Sequence, residues 1–126
     1  MPSLLGRLLA VPLVAALVAC GGEEKKAAPA AAAGCEQGSG NTVNVCMKDI
    51  EYVPKSVTVP VGGKVVWTNT DQVPHTVTKD RGPGEDFDSK TMPAGSGKFE
   101  RTFNDAGTVD YLCTIHPKQL GKVVVE

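Results

Sequence analysis

The residues with the clearest capacity for chemistry are one cysteine and two histidines. Cys113 and His116 are three positions apart in the segment Tyr-Leu-Cys-Thr-Ile-His-Pro-Lys-Gln, and Gln119 offers a further donor three positions later. A loop with that spacing can wrap a single metal ion. His75 lies about forty residues earlier, directly after a Val-Pro pair, and the chain has no third histidine.

The type of these donors favours copper. One thiolate and two imidazoles form the trigonal plane of a type 1 copper site, which a weak axial ligand completes. Zinc also accepts Cys and His, but a structural zinc site closes with four strong ligands, and the sequence offers three. A lone histidine or cysteine is usually an ordinary structural residue. The prediction of one copper ion therefore depends on a fold that brings His75, Cys113 and His116 together.

Short β-strands are the elements that would position these donors. From residue 35 onward, β-rich runs alternate with turn residues every eight to twelve positions, which is typical of a sandwich or barrel. One long connection, 79–97, is rich in Gly, Pro and Asp, and such loops are often functional. The sequence thus predicts an all-β sandwich of about seven to eight strands, over 42–47, 56–61, 64–69, 75–78, 98–103, 108–113 and 120–126.

The N-terminal segment predicts an export signal. Residues 1–19 place Arg7 before an apolar run that is too short to span a bilayer as a helix. The run ends in Leu-Val-Ala-Cys, which resembles the lipobox of bacterial lipoproteins, so Cys20 is expected to be diacylated as the first mature residue. An uncleaved anchor helix is the alternative. The protein is expected on the cell membrane or outer membrane, facing the periplasm or the cell exterior.

The segment between the anchor and the domain is predicted to be a linker. Residues 20–34 comprise the acylated cysteine and an Ala- and Pro-rich stretch without aromatic or β-branched residues, which cannot offset the entropy of ordering. The domain is predicted to occupy 35–126.

Two further cysteines, Cys35 and Cys46, flank a Gly-Ser-Gly-Asn turn, and this spacing can close a disulfide. In a small exported domain such a bridge contributes about 2–3 kcal/mol. A redox or metal-binding pair is the alternative, without support from a CxxC spacing or a nearby histidine.

Bulk charge identifies no partner. With 13 Lys+Arg against 14 Asp+Glu the net charge is −1, so no nucleic acid is expected and recognition must be local. A monomer is expected, because the contacts of such a protein with its partners are weak and transient.

The domain resembles the type 1 copper proteins, or cupredoxins, and within them the amicyanin and plastocyanin group. The resemblance covers about 42–126 and is carried by Gly-Gly-Lys-Val-Val-Trp-Thr-Asn, by Val-Pro-His, and by Phe-Asn-Asp-Ala-Gly-Thr-Val-Asp-Tyr-Leu-Cys-Thr-Ile-His-Pro followed by Gly-Lys-Val-Val-Val. It implies a Greek-key sandwich, His75, Cys113 and His116 as equatorial copper ligands, and an electron carrier rather than an enzyme.

The resemblance has one departure at the axial position. Gln119 stands where amicyanins carry Met, and stellacyanins use an axial Gln. An amide oxygen is a harder donor than a thioether and favours Cu(II), so a low reduction potential is expected. Met92 reaching in from the long loop, or a three-coordinate site with Gln119 in solvent, are the alternatives.

The resemblance also implies roles for residues around the ligands. The hydroxyls of Thr76 and Thr114 are expected to join the two ligand loops, unless both are ordinary strand threonines. His116 is expected to be the exposed edge where transient redox partners dock, within an apolar patch formed by Pro74, Met92, Pro93, Ile115 and Pro117. Lys118 replaces an apolar residue of amicyanins, so methylamine dehydrogenase is not implied as the partner.

Three other functions compete with electron transfer. A copper-storage or copper-delivery lipoprotein would normally carry Met- or His-rich tracts, which are absent. A reductase would need further metal sites, for which no histidines remain. A purely structural sandwich would bind no copper.

Overall fold

The protein is described here by a computed structural model that covers Cys35 and residues 38–126. The predicted signal peptide 1–19, Cys20 and the linker 21–34 lie outside the described residues. None of the described residues belongs to a helix with the length and apolar character needed to cross a bilayer.

Eight strands form two four-stranded sheets. The first sheet has the order β2-β1-β4-β6 and the second the order β3-β8-β7-β5. β1 pairs with β4, and β3 with β8, in parallel, and the other pairs are antiparallel. The strands are β1 Thr42–Lys48, β2 Glu51–Val53, β3 Ser56–Val59, β4 Gly63–Asn69, β5 Thr78–Arg81, β6 Lys98–Phe103, β7 Gly107–Leu112 and β8 Leu120–Val125. The predicted all-β sandwich is therefore confirmed.

The core lies between the two inner faces. In β3 and β8 buried valines alternate with exposed or half-buried residues, as a strand with one covered face requires. Trp67 occupies the centre of the core. It packs against four aromatic rings whose centroids lie 5.3 to 6.3 Å away, those of Phe87, Phe99, Phe103 and Tyr111.

The strand predicted over 75–78 is wrong in its position, because β5 begins only at Thr78. The preceding backbone donors are engaged elsewhere. The N–H of Thr76 donates to Sγ of Cys113 and that of Val77 donates to Oγ of Ser89. His75 pairs with Met92 in an isolated bridge. A ladder cannot start where successive N–H groups already have side-chain partners.

The predicted long connection is shorter and better packed than the sequence indicates. β5 takes up its first residues, and the remainder inserts Phe87 and Met92 into the core. Nearer the N-terminus, a disulfide joins Cys35 to Cys46 in the structure. It connects the segment before β1 to the strand itself.

Candidate metal centre

Three donors that are distant in sequence lie together at one end of the sandwich. Nδ1 of His75 is 3.8 Å and Nδ1 of His116 is 3.7 Å from Sγ of Cys113, and the ligand atoms of the three residues all lie within 4.8 Å of one another. Metal ions bind nitrogen and sulfur at about 2.0–2.3 Å. Donors at these separations can share one ion between them.

Two loops hold the donors. Cys113 directly follows β7, and the turn after it is closed by two backbone hydrogen bonds: Cys113 N–H donates to the carbonyl of Gln119 over 3.1 Å, and Gln119 N–H to that of His116 over 2.8 Å. The other loop, between β4 and β5, carries His75. Its backbone exchanges hydrogen bonds with Met92 over 3.2 and 2.7 Å.

Asn69 ties the His75 loop together, and sequence reasoning missed this residue. Its buried side-chain amide donates to the carbonyls of Val73, Met92 and Pro93, over 2.9, 3.2 and 3.1 Å, and its Oδ1 accepts the N–H of Asp71 over 3.0 Å. A single side chain thereby satisfies backbone groups on both sides of His75. The available signal was an Asn at the end of a strand with the apolar centre Val-Val-Trp.

Access to the site is asymmetric. His75 and Cys113 are fully buried, whereas His116 is half-buried among exposed Ile115, Pro117 and Lys118. This arrangement excludes water from two donors and leaves one imidazole edge near the surface.

The predicted apolar patch needs correction at one residue. Met92 is only 3 % exposed, because its backbone pairs with His75 and its side chain lies in the core cluster. The surface near His116 instead includes two apolar residues that the sequence did not indicate. Ile50 and Leu120 are 45 % and 48 % exposed, and both line an open cleft of about 560 Å³ beside His116.

The two threonines next to the ligands form a network that joins the loops. Oγ1 of Thr76 accepts the N–H of Thr114 over 2.9 Å and lies 3.2 Å from its Oγ1. The Thr76 hydroxyl also lies 3.1 Å from that of Thr78. These bonds bring the loop of His75 and the loop of Cys113 into a fixed relation.

Gln119 is buried on the loop that carries two of the donors. It is 3 % exposed, and neither Oε1 nor Nε2 of its amide has a hydrogen-bond partner among the described residues. Leaving a buried amide unpaired costs free energy. An unpartnered amide on the loop that carries Cys113 and His116 fits a further ligand for a metal ion held by the three clustered donors.

The environment of the thiol includes a buried phenol. Tyr52 donates from its hydroxyl to the carbonyl of Thr76 over 2.6 Å. Burial first, then the charges of Cys113 and Tyr111, raises the pKa of Tyr52. Tyr52 is therefore neutral and its hydroxyl acts as a donor.

Asp71 is a second residue that sequence reasoning missed. Its Oδ2 lies 2.9 Å from Nε2 of His75. Partial burial opposes ionisation, but hydrogen bonds from the backbone of Ile50 and from His75 hold the pKa of Asp71 below its ordinary value. The carboxylate therefore faces His75 on the ring nitrogen that is turned away from Cys113. An acidic residue four positions before a candidate ligand was the only available signal.

Comparison with known proteins gives consistent results. The family model for copper-binding proteins of the plastocyanin/azurin family matches residues 40–126. Amicyanin-alpha of Methylorubrum extorquens is 37 % identical over 118 residues, covering 93 % of this chain and 98 % of that protein. Amicyanin of Paracoccus denitrificans is 36 % identical over 124 residues, with 94 % and 92 % covered.

The fold comparison agrees with the sequence comparison. The crystal structure of amicyanin from Paracoccus versutus superimposes with a TM-score of 0.61 at 36 % identity, covering 68 % of this chain and 81 % of that one.

Proposed function

This chain belongs to the plastocyanin/azurin family of copper-binding proteins, so it is a copper electron-transfer protein and not an enzyme, and we propose that His75, Cys113 and His116 hold its single type 1 copper with Gln119 as the axial ligand. The observation that carries this proposal is the cluster of three donors within 4.8 Å of one another. The unpartnered, buried amide of Gln119 supports the fourth position.

The donor set favours copper over zinc. Thiolate and imidazole together with a weak axial oxygen are typical of type 1 copper, whereas a structural zinc site closes with four strong ligands. Bound copper supplies a one-electron couple. The protein contributes a site already formed by two loops, so that little rearrangement accompanies a change of oxidation state.

The remaining roles follow from burial. His75 and Cys113 are fully buried, so water does not reach these two donors, and His116 provides the edge through which electrons leave or enter. The exposed apolar residues Ile50, Ile115 and Leu120 near that edge suit a transient protein partner, because small weak interfaces dissociate quickly. We expect a monomer.

The axial residue sets the direction of the reduction potential. The amide oxygen of Gln119 is harder than a thioether sulfur and favours the oxidised ion, so the proposed carrier has a low potential. Tuning by the axial ligand is a general feature of such sites.

The proposed location is the cell envelope. We propose that 1–19 direct export, that Cys20 carries the acyl chains and that 21–34 tether the domain near the membrane surface. Two or more acyl chains meet the requirement for stable anchoring. Incorporation of labelled palmitate in a bacterial host, lost in a Cys20→Ser variant, is the expected result; equal labelling of the variant would contradict it.

One experiment tests the site. The domain 35–126, which contains every described strand, is loaded with Cu(II) and its visible spectrum, paramagnetic resonance and midpoint potential are measured beside a Gln119→Met variant. We expect an intense thiolate-to-copper band, shifted in the variant, and a higher potential for Met. A Cys113→Ser variant serves as the colourless control. A colourless wild-type protein would overturn the proposal.

The same preparation separates the second candidate, a copper-delivery protein. A carrier should release Cu(I) slowly to a competing chelator, because two of its donors are fully buried. Release within the mixing time would favour delivery.

A further inference from the structure

One carboxylate oxygen is shared by a proposed copper ligand and a surface turn. Oδ2 of Asp71 lies 2.9 Å from Nε2 of His75 and accepts the backbone N–H of Ile50 over 2.8 Å. The other oxygen, Oδ1, accepts the N–H of Gln72 over 3.1 Å. The Asp71 side chain is 15 % exposed and that of His75 is fully buried, so water competes little for the bond between them, whereas the bonds to Ile50 and Gln72 lie at the surface.

This contact selects one tautomer of His75. An ionised carboxylate can only accept hydrogen bonds, so Nε2 must carry the proton. Nδ1 is then left with a free lone pair, and Nδ1 is the atom that faces Sγ of Cys113 at 3.8 Å. A carboxylate on the outer nitrogen of a ligating imidazole also increases its strength as a donor.

The turn held by the same oxygen is strained. Asp49 and Ile50 connect β1 to β2 with φ angles of 53° and 59°, a conformation suited to Asn-Gly in a two-residue hairpin. A β-branched residue such as Ile50 adopts this conformation only at a cost in free energy. The bond from Ile50 N–H to Asp71 offsets part of that cost. The Ile50 side chain stands exposed on the cleft beside His116.

We propose that Asp71 is a positioning residue, whose Oδ2 fixes His75 as its Nε2–H tautomer for copper and also holds the turn that presents Ile50 at the His116 surface. This inference rests on the proposed copper site and adds a connection between a buried ligand and the surface near the exposed one. The connection is a single atom, so it can be tested by single substitutions.

Three variants of the full chain, purified in detergent, provide the test. Asp71→Ala removes both bonds. Asp71→Asn keeps the bonds to His75 and Ile50 without the charge. Its single amide oxygen meets two donors in the Oδ2 position but only one in the Oδ1 position, so it should take the Oδ2 position. Asp49→Asn is the matched control: it removes an exposed carboxylate from the adjoining turn, and Asn suits a positive φ.

The first measurement needs no copper. Selective ¹⁵N labelling of the two histidines reports which ring nitrogen is protonated in the metal-free protein. Wild type, Asp71→Asn and Asp49→Asn should show His75 protonated at Nε2. Asp71→Ala should show a mixture of tautomers and faster hydrogen exchange at the Ile50 amide.

The second measurement uses the copper-loaded chains. Loss of the charge in Asp71→Asn should lower the affinity for Cu(II) relative to Cu(I) about tenfold, which raises a one-electron potential by about 59 mV. Asp49→Asn should shift the potential by less than half as much.

The outcomes keep the two proposals apart. An unchanged tautomer in Asp71→Ala, or equal potentials in the two Asn variants, would overturn the role of Asp71 while the copper site stands. A wild-type chain that binds no copper would overturn the copper site, and the tautomer of the metal-free protein would still test Asp71. Should Asp71→Ala not fold, the Asn pair decides.

Discussion

The backbone N–H of Thr76 donates a hydrogen bond to Sγ of Cys113 over 3.3 Å, although 37 positions separate the two residues. This bond joins the loop that carries His75 to the loop that carries His116. It also places a hydrogen-bond donor on the sulfur. The side chain of Thr76 adds a second connection between the same loops.

The first prediction concerns that second connection. Thr76→Val removes the Oγ1 that accepts the Thr114 N–H while the backbone bond to Cys113 remains. We expect the metal-free domain to lose about 1 kcal/mol of unfolding free energy, measured by urea denaturation, with the thiolate-to-copper band retained. Thr76→Ser, which keeps the hydroxyl, should lose clearly less. Equal losses for Val and Ser would show that the hydroxyl contributes nothing.

The second prediction uses the different burial of the two histidines. His116→Gly leaves a gap beside solvent, so added imidazole should enter, bind and restore the blue colour in a copper titration. His75→Gly leaves a gap at a fully buried position, so added imidazole should restore far less of the blue colour. Equal rescue of both variants would contradict the asymmetric access.

The third prediction concerns the disulfide, which closes a loop of sequence separation 11. Cys35→Ala breaks the bridge at its half-buried end and leaves the Cys46 side chain in place. The chain-entropy argument gives a loss of about 2–3 kcal/mol, which oxidised and variant domains should show in guanidinium unfolding. Wild-type protein with the bridge reduced is the control and should match the variant. A variant as stable as the oxidised domain would mean that the bridge does not form.

The fourth prediction concerns alkaline pH. Burial, as the largest cause, raises the pKa of both tyrosines, Tyr52 and Tyr111, above the ordinary 10.0. A raised folded pKa contributes stability that is complete below the unfolded value and is lost as the pH rises above it. We therefore expect unfolding free energy to fall above about pH 10.

The measurement for this prediction is tyrosinate absorbance, which these two tyrosines alone produce. The signal should appear together with unfolding rather than before it. Tyr52→Phe should reduce the loss of stability with pH, and the chain in guanidinium should titrate near the ordinary value. A gradual titration of the folded domain around pH 10 would contradict the burial argument.

Much of the fold could be predicted from the sequence, because local residue patterns indicate it. The alternating valines of β3, the run of valines in β8 and the turn at Gly62 and Gly63 require only neighbouring residues to be recognised. The position of β5 was not accessible, because the N–H groups of Thr76 and Val77 bind side chains from distant segments. Burial of Met92 was missed for the same reason, as its partner is His75.

For the metal centre, the sequence by itself determined the donor types, the spacing of Cys113, His116 and Gln119, and the family resemblance that singled out His75. Only the tertiary structure decided that Asn69 and Asp71 brace His75, that Ile50 stands beside His116, and that the Gln119 amide is buried without a partner. The reason is physical. The type of a ligand atom is a property of a single residue. The orientation and burial of its side chain depend on contacts between segments that are distant in sequence, and local sequence patterns do not indicate those contacts.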